Sequence, residues 1–84
     1  MYNMGTLNER SKTMKAKINL VTMTDIRRFV DAVSKVEEEV ILKDSVGHCV
    51  SAKSMLGALY SLEWKDVYVH CDKDITGLIL EWIV

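Results

Sequence analysis

Eighty-four residues, 49% of them apolar, make one small domain near the lower size limit for an unaided core, and argue against disorder. A net charge of −1 with no basic stripe leaves nucleic-acid binding without its usual electrostatic driving force, so no nucleic-acid partner is expected. No apolar run approaches the ~18–20 residues that span a bilayer, and no N-terminal stretch has signal-peptide character; no membrane partner and a cytoplasmic location are expected.

Met1–Thr13 is polar and has no apolar period, so it reads as a flexible lead-in to a domain spanning 14–84. Lys15–Val21 alternates, with Ile18 and Leu20 sharing a face, and predicts a first strand. Thr22-Met23-Thr24-Asp25 offers helix caps. With Thr22 or Thr24 as N-cap, Ile26, Phe29, Val30 and Val33 fall on one helical stripe. Arg27, Arg28, Asp31 and Lys35 lie on the solvent side. Glu37–Glu39 reads as a solvated connection, because consecutive carboxylates diverge rather than converge on a metal.

Val40–Lys43 predicts a second strand and Asp44–Gly47 a turn, with Gly47 suited to a positive φ. His48–Ser51 predicts a third strand that closes a hairpin. Ser54 is placed to cap a helix over Met55–Leu62 that is apolar on nearly every side. Two turns of helix can bury only one face, so some of Met55, Leu56 and Leu59 should face solvent and mark a contact surface. Asp66–Cys71 predicts a fourth strand, with Val67, Val69 and Cys71 opposed to Tyr68 and His70. Asp74 reads as the cap of a last helix with Ile75, Leu78, Ile79 and Trp82 as its buried stripe. Gly77 weakens that helix by roughly 1 kcal/mol relative to alanine.

Cys49 and Cys71 form no C-x-x-C pair and are expected to be free. His48 and Cys49 are strand neighbours that point to opposite faces, as are His70 and Cys71. Neither a zinc site nor a Cys/His nucleophile is therefore expected, and no cofactor motif appears. The order is β-α-β-β-α-β-α. It predicts an α+β fold with one four-stranded antiparallel sheet and three helices on a single face. A ferredoxin-like split β-α-β is the rival topology, with the helix after Ser54 as an irregular extra.

Ala52-Lys53-Ser54-Met55-Leu56-Gly57, with Leu59, Ser61 and Leu62 behind it, resembles the regulatory-serine segment of HPr. HPr is the small phosphocarrier of the bacterial phosphoenolpyruvate–sugar phosphotransferase system, an open-faced β-sandwich with this order of elements. The resemblance covers about Met14 to Val84, with the last helix shortened by a turn or two. In that family a histidine at the start of the first helix accepts a phosphoryl group from enzyme I, within an H-x-R-P motif. Matched back from Phe29-Val30, the histidine's place falls at Thr22, the arginine's at Thr24 and the proline's at Asp25. None is kept. A threonine hydroxyl is a poor nucleophile without a base, and Asp25 would repel a phosphate.

The resemblance thus implies a relative without the histidine relay and without enzymatic activity. It would bind protein partners, phosphotransferase-system or catabolite-regulation proteins, through Thr22, Thr24, Arg27, Lys53, Met55, Leu56 and Leu59. Thr22, Thr24 and the first-turn N–H groups read either as plain caps or as a weak anion site. The resemblance also implies regulatory phosphorylation at Ser54, although capping alone would explain that serine. Two other readings stand beside it. One is an active carrier that uses His48 or His70 as acceptor, the other a small self-associating domain whose apolar patch a second copy covers.

Overall fold

In the computed structural model residues 13–84 are described; the lead-in expected over Met1–Thr13 lies outside them except for Thr13 itself. Four alternating segments form one antiparallel sheet: β1 (Met14–Ile18), β2 (Val40–Lys43), β3 (Cys49–Ser51) and β4 (Val67–Cys71). Their spatial order is β1-β4-β2-β3. Three helices, α1 (Met23–Val33), α2 (Met55–Tyr60) and α3 (Thr76–Ile79), complete an α+β fold. Short 3₁₀ turns follow α2 at Ser61–Glu63 and α3 at Leu80–Trp82.

The period of two decides what each strand gives the core. Val40, Leu42, Val67, Val69 and Cys71 point inward and are buried. They join Ile26, Phe29, Val30 and Val33 of α1, Ala58 of α2 and Ile79 of α3 in one cluster. Phe29 is fully enclosed and meets Trp82 edge-on, with ring centroids 5.4 Å apart. Such a contact adds about 0.5–1.5 kcal/mol to the burial of the rings themselves.

Trp82 also ties the C-terminal residues to the sheet. Its carbonyl accepts from the Asn19 N–H at 2.8 Å, Val84 N–H donates to the Lys17 carbonyl at 3.1 Å, and Ile18 bridges Ile83 antiparallel. The last residues therefore occupy part of the β1 edge that would otherwise present unpaired backbone groups.

Several boundaries differ from the sequence expectation. β1 ends at Ile18 rather than Val21, because the chain turns out of the sheet to reach α1; Leu20 is still buried but Val21 is exposed. His48 precedes β3 instead of belonging to it, since Asp44 Oδ1 accepts its backbone N–H at 2.7 Å and holds it in the turn. Gly47 takes φ 108° in that turn, as its position suggested. α2 stops at Tyr60, where the chain tightens into its 3₁₀ turn and buries Ser61, whose hydroxyl donates to the Ala58 carbonyl at 2.6 Å.

The last helix is a single α-turn that passes into 3₁₀. Its three-residue period carries the buried line from Ile79 to Trp82 and leaves Leu78 exposed, not part of the stripe. Asp74 accepts from the Thr76 N–H at 3.0 Å and hydroxyl at 2.6 Å, while Ile75 holds the N-cap position.

Phe29→Ala should cost about 3–5 kcal/mol, the range for emptying a fully buried aromatic site. In a domain this small that is most of the total stability. Urea unfolding followed by tryptophan fluorescence would show the midpoint collapse; a midpoint near that of the parent chain would mean Phe29 does not anchor the core.

Candidate functional site

The start of α1 is built around one carboxylate. Thr22 is extended (φ −120°, ψ 166°), so its Oγ1 faces the first turn and accepts from the Asp25 N–H at 3.0 Å. Asp25 Oδ2 reaches back and accepts from the Thr22 N–H at 3.3 Å and the Val21 N–H at 3.1 Å. This is a reciprocal capping box with one further donor. The Val21 N–H is the largest influence holding the Asp25 carboxyl below the ordinary carboxylate range. The Thr22 N–H, the Trp82 side chain and the Arg28 charge add to it, and desolvation opposes it. The helix dipole thus already has its negative partner, and the charge of Asp25 disfavours the weak anion site considered at Thr22 and Thr24. Thr24 and Arg27 are exposed nearby on α1. Arg28 pairs with Glu81, reaching its Oε1 at 2.7 Å, and lies 5.5 Å from the Trp82 ring centroid.

α2, which packs beside α1, carries the rest of the expected surface. Ser54 is an extended N-cap whose Oγ accepts from the Gly57 N–H at 3.0 Å, and it is exposed. Lys53 is half-buried and donates from Nζ to the Val36 carbonyl. Gly57 lets the helix lie against β3. A Cβ there would stand 3.0 Å from the Ser51 carbonyl oxygen and 3.2 Å from Val50 Cβ.

Only Ala58 of α2 is buried. Leu59 is half-buried, whereas Met55 is 40%, Tyr60 61% and Leu56 66% exposed. Leu56, Leu59, Tyr60 and Glu63 line a shallow groove of about 270 Å³. The structure therefore brings Lys53, Ser54, Met55, Leu56 and Leu59 onto one short element, with Thr22, Thr24 and Arg27 on the adjoining helix.

The β2–β3 turn holds a cluster that sequence reasoning missed. His48 Nδ1 lies 2.6 Å from Asp44 Oδ2, and its ring stacks on Trp64 with centroids 5.5 Å apart and planes 17° from parallel. Ser45 donates its N–H and hydroxyl to Asp66 Oδ1 at 3.1 and 3.3 Å. A cleft of about 270 Å³ lies between these groups, Glu63 and Lys65. Desolvation works against the charge of Asp44, yet the hydrogen bonds from the His48 ring and N–H hold its carboxyl below the usual range. The available signal was the Asp-x-x-Gly-His spacing, which folds an aspartate over a histidine when the glycine takes a positive φ.

The remaining histidine and both cysteines are dispersed. Cys71 is buried and Cys49 exposed, both free. His70 is half-buried on the outer face of β4. Among the described residues no three potential metal ligands cluster, and no helix is long and apolar enough to cross a membrane. No family model, curated protein or solved structure matches the chain.

The shifted groups set a pH profile. Desolvation, then the charges of Lys43 and Lys15, lower the His70 pKa from 6.5, so its contribution to stability is complete above that value and falls as the pH drops through the folded pKa. Asp25, Asp44 and Asp74 are lowered from 3.8, so their contribution is complete above about that value and is lost below it. Stability should therefore decline in two steps on acidification, and Asp25→Asn should lower the melting temperature at neutral pH and shrink the second step. Melting temperature against pH for both chains checks this; a single step, unchanged in the variant, would contradict it. Gly57→Ala should also lower the melting temperature, because the crowding at Ser51 outweighs the roughly 1 kcal/mol gain in helix propensity.

Proposed function

We propose that this chain is an HPr-like module of the open-faced β-sandwich type that carries no phosphoryl group on histidine. It acts by binding protein partners, of the phosphotransferase system or of catabolite regulation, through the start of α1 and the exposed face of α2. The order β1-β4-β2-β3, in which β2 separates β3 from β4, supports the HPr-like reading. The observation that carries the binding role is α2 itself: a helix with three large side chains in solvent gives up burial that a purely structural helix would use. Asp25 supports the loss of the phosphoryl site, because its carboxylate sits where the phosphoryl charge would need stabilising. Phosphorylation of Ser54 would place a dianion at the positive end of α2, beside Met55, and so alter what that face binds.

A second reading has one specific observation in its favour. Asp44 orients the imidazole through His48 Nδ1, and His48 lines the adjoining cleft; a base-oriented imidazole of this kind can serve as a nucleophile. In that reading the chain is a carrier with His48 as its acceptor.

Intact mass after incubation with enzyme I and phosphoenolpyruvate separates the two. The binding reading predicts an unchanged mass and an association of enzyme I with the unmodified chain that Leu56→Glu weakens by about tenfold or more, the loss of one interface anchor. One acid-labile phosphoryl group, lost in His48→Ala, would establish the carrier reading in its place. An association unaffected by Leu56→Glu would remove α2 from the interface.

A further inference from the structure

The sheet has a second side, and its register gathers residues that are scattered along the chain. Facing away from the helices, one row across the strands reads Lys17, Tyr68, Lys43 and Cys49. The next reads Lys15, His70, Ile41 and Ser51. None of these eight positions holds a carboxylate, although the whole chain has twelve acidic residues against eleven lysines and arginines. Positive charge is thus concentrated on a surface that the total charge conceals. The three lysines are exposed, and none forms an ion pair among the described residues. At the centre of the face burial, and after it the charges of Lys43 and Lys15, disfavour a charge on His70.

Two π-systems lie among these charges. Tyr68 and His70 are half-buried, two residues apart on β4, so both rings stand on the same side of the central part of the sheet. We propose that this face binds single-stranded nucleic acid, with Lys15, Lys17 and Lys43 on phosphates and Tyr68 stacking a base. An antiparallel sheet with helices behind it and aromatic residues among cations in front is a platform suited to unpaired bases. An acidic peptide would satisfy the lysines but give the rings no role. An anionic membrane would need more cations or an apolar wedge than the face supplies. Lys15 Nζ lies 5.2 Å from the Tyr68 ring centroid, so a stacking base displaces the ammonium, which can then turn to the neighbouring phosphate.

The test is fluorescence anisotropy of a labelled oligothymidylate with the full chain, over a range of salt. Three phosphate contacts give a log–log salt slope of about −2 for a single strand, or about a 20-fold loss of affinity between ~50 and ~200 mM salt. Tyr68→Leu should weaken binding by about tenfold and leave the slope unchanged. Lys17→Gln with Lys43→Gln should flatten the slope to about −0.7. Lys17 and Lys43 are exposed and Tyr68 is half-buried on the outer face, and a far-UV spectrum identical to the parent's shows that each variant is folded. The salt slope of the parent chain needs no variant at all. No binding at low salt would overturn the proposal. So would affinity insensitive to Tyr68→Leu and matched by polyglutamate, which would mark an acidic-peptide site. Binding to phosphatidylserine vesicles but not to the oligonucleotide would overturn it in favour of a membrane.

Discussion

The Asp25 carboxylate is the contact on which the arrangement of this small domain depends. It gathers the Val21 and Thr22 N–H groups, and so fixes the angle at which the chain leaves β1 and enters α1. The same angle sets Phe29 against Trp82, and Trp82 in turn closes the C-terminal residues onto the edge of β1. Arg28, one turn along, reaches Glu81 beside that tryptophan. The first helix and the last residues are thus joined by a hydrogen-bonded carboxylate, an aromatic pair and an ion pair. The ion pair is exposed and contributes least of the three. A carboxylate that holds the helix start is also a charge that keeps other anions away, so one group both anchors the helix and disfavours an anion there.

The rest of the molecule follows from having a single core. With one sheet and one layer of helices, each sheet strand has an inner and an outer side, and each short helix has only one face to bury. α2 is the limiting case. It is six residues long, held by the Ser54 cap and by the close approach at Gly57, and buries fully only Ala58. Its large apolar residues are therefore available to a partner. The outer side of the sheet is available in the same way but is chemically different, with lysines around Tyr68 and His70. The two surfaces lie on opposite sides of the core, so occupation of one leaves the other open.

Element order, the α1 stripe and the in–out pattern of β4 were legible because their periods are local. Ile26, Phe29, Val30 and Val33 repeat at helical spacing, and Val67, Val69 and Cys71 at strand spacing, and all are buried. The exposure of Met55 and Leu56 was legible too, since a two-turn helix cannot hide both sides. What was not legible depended on contacts between distant segments. The three lysines lie on β1 and β2, on either side of Tyr68 and His70 of β4, so no basic run appears along the chain. The exposure of Leu78 depends on an α-turn passing into 3₁₀, which a fixed period of 3.6 does not anticipate. The sequence places His48 in the third strand, whereas the Asp44 carboxylate draws it into the turn.

Amide resonances at the start of α1 test the central claim directly. ¹H–¹⁵N spectra recorded with increasing inorganic phosphate at neutral pH should leave the Val21, Thr22 and Asp25 amides in place. The Val21 and Thr22 amides should move together on acidification below about pH 3.8, as their acceptor is protonated. Saturable shifts of these amides with phosphate at neutral pH would show that the helix start takes an anion, and that Asp25 does not close it.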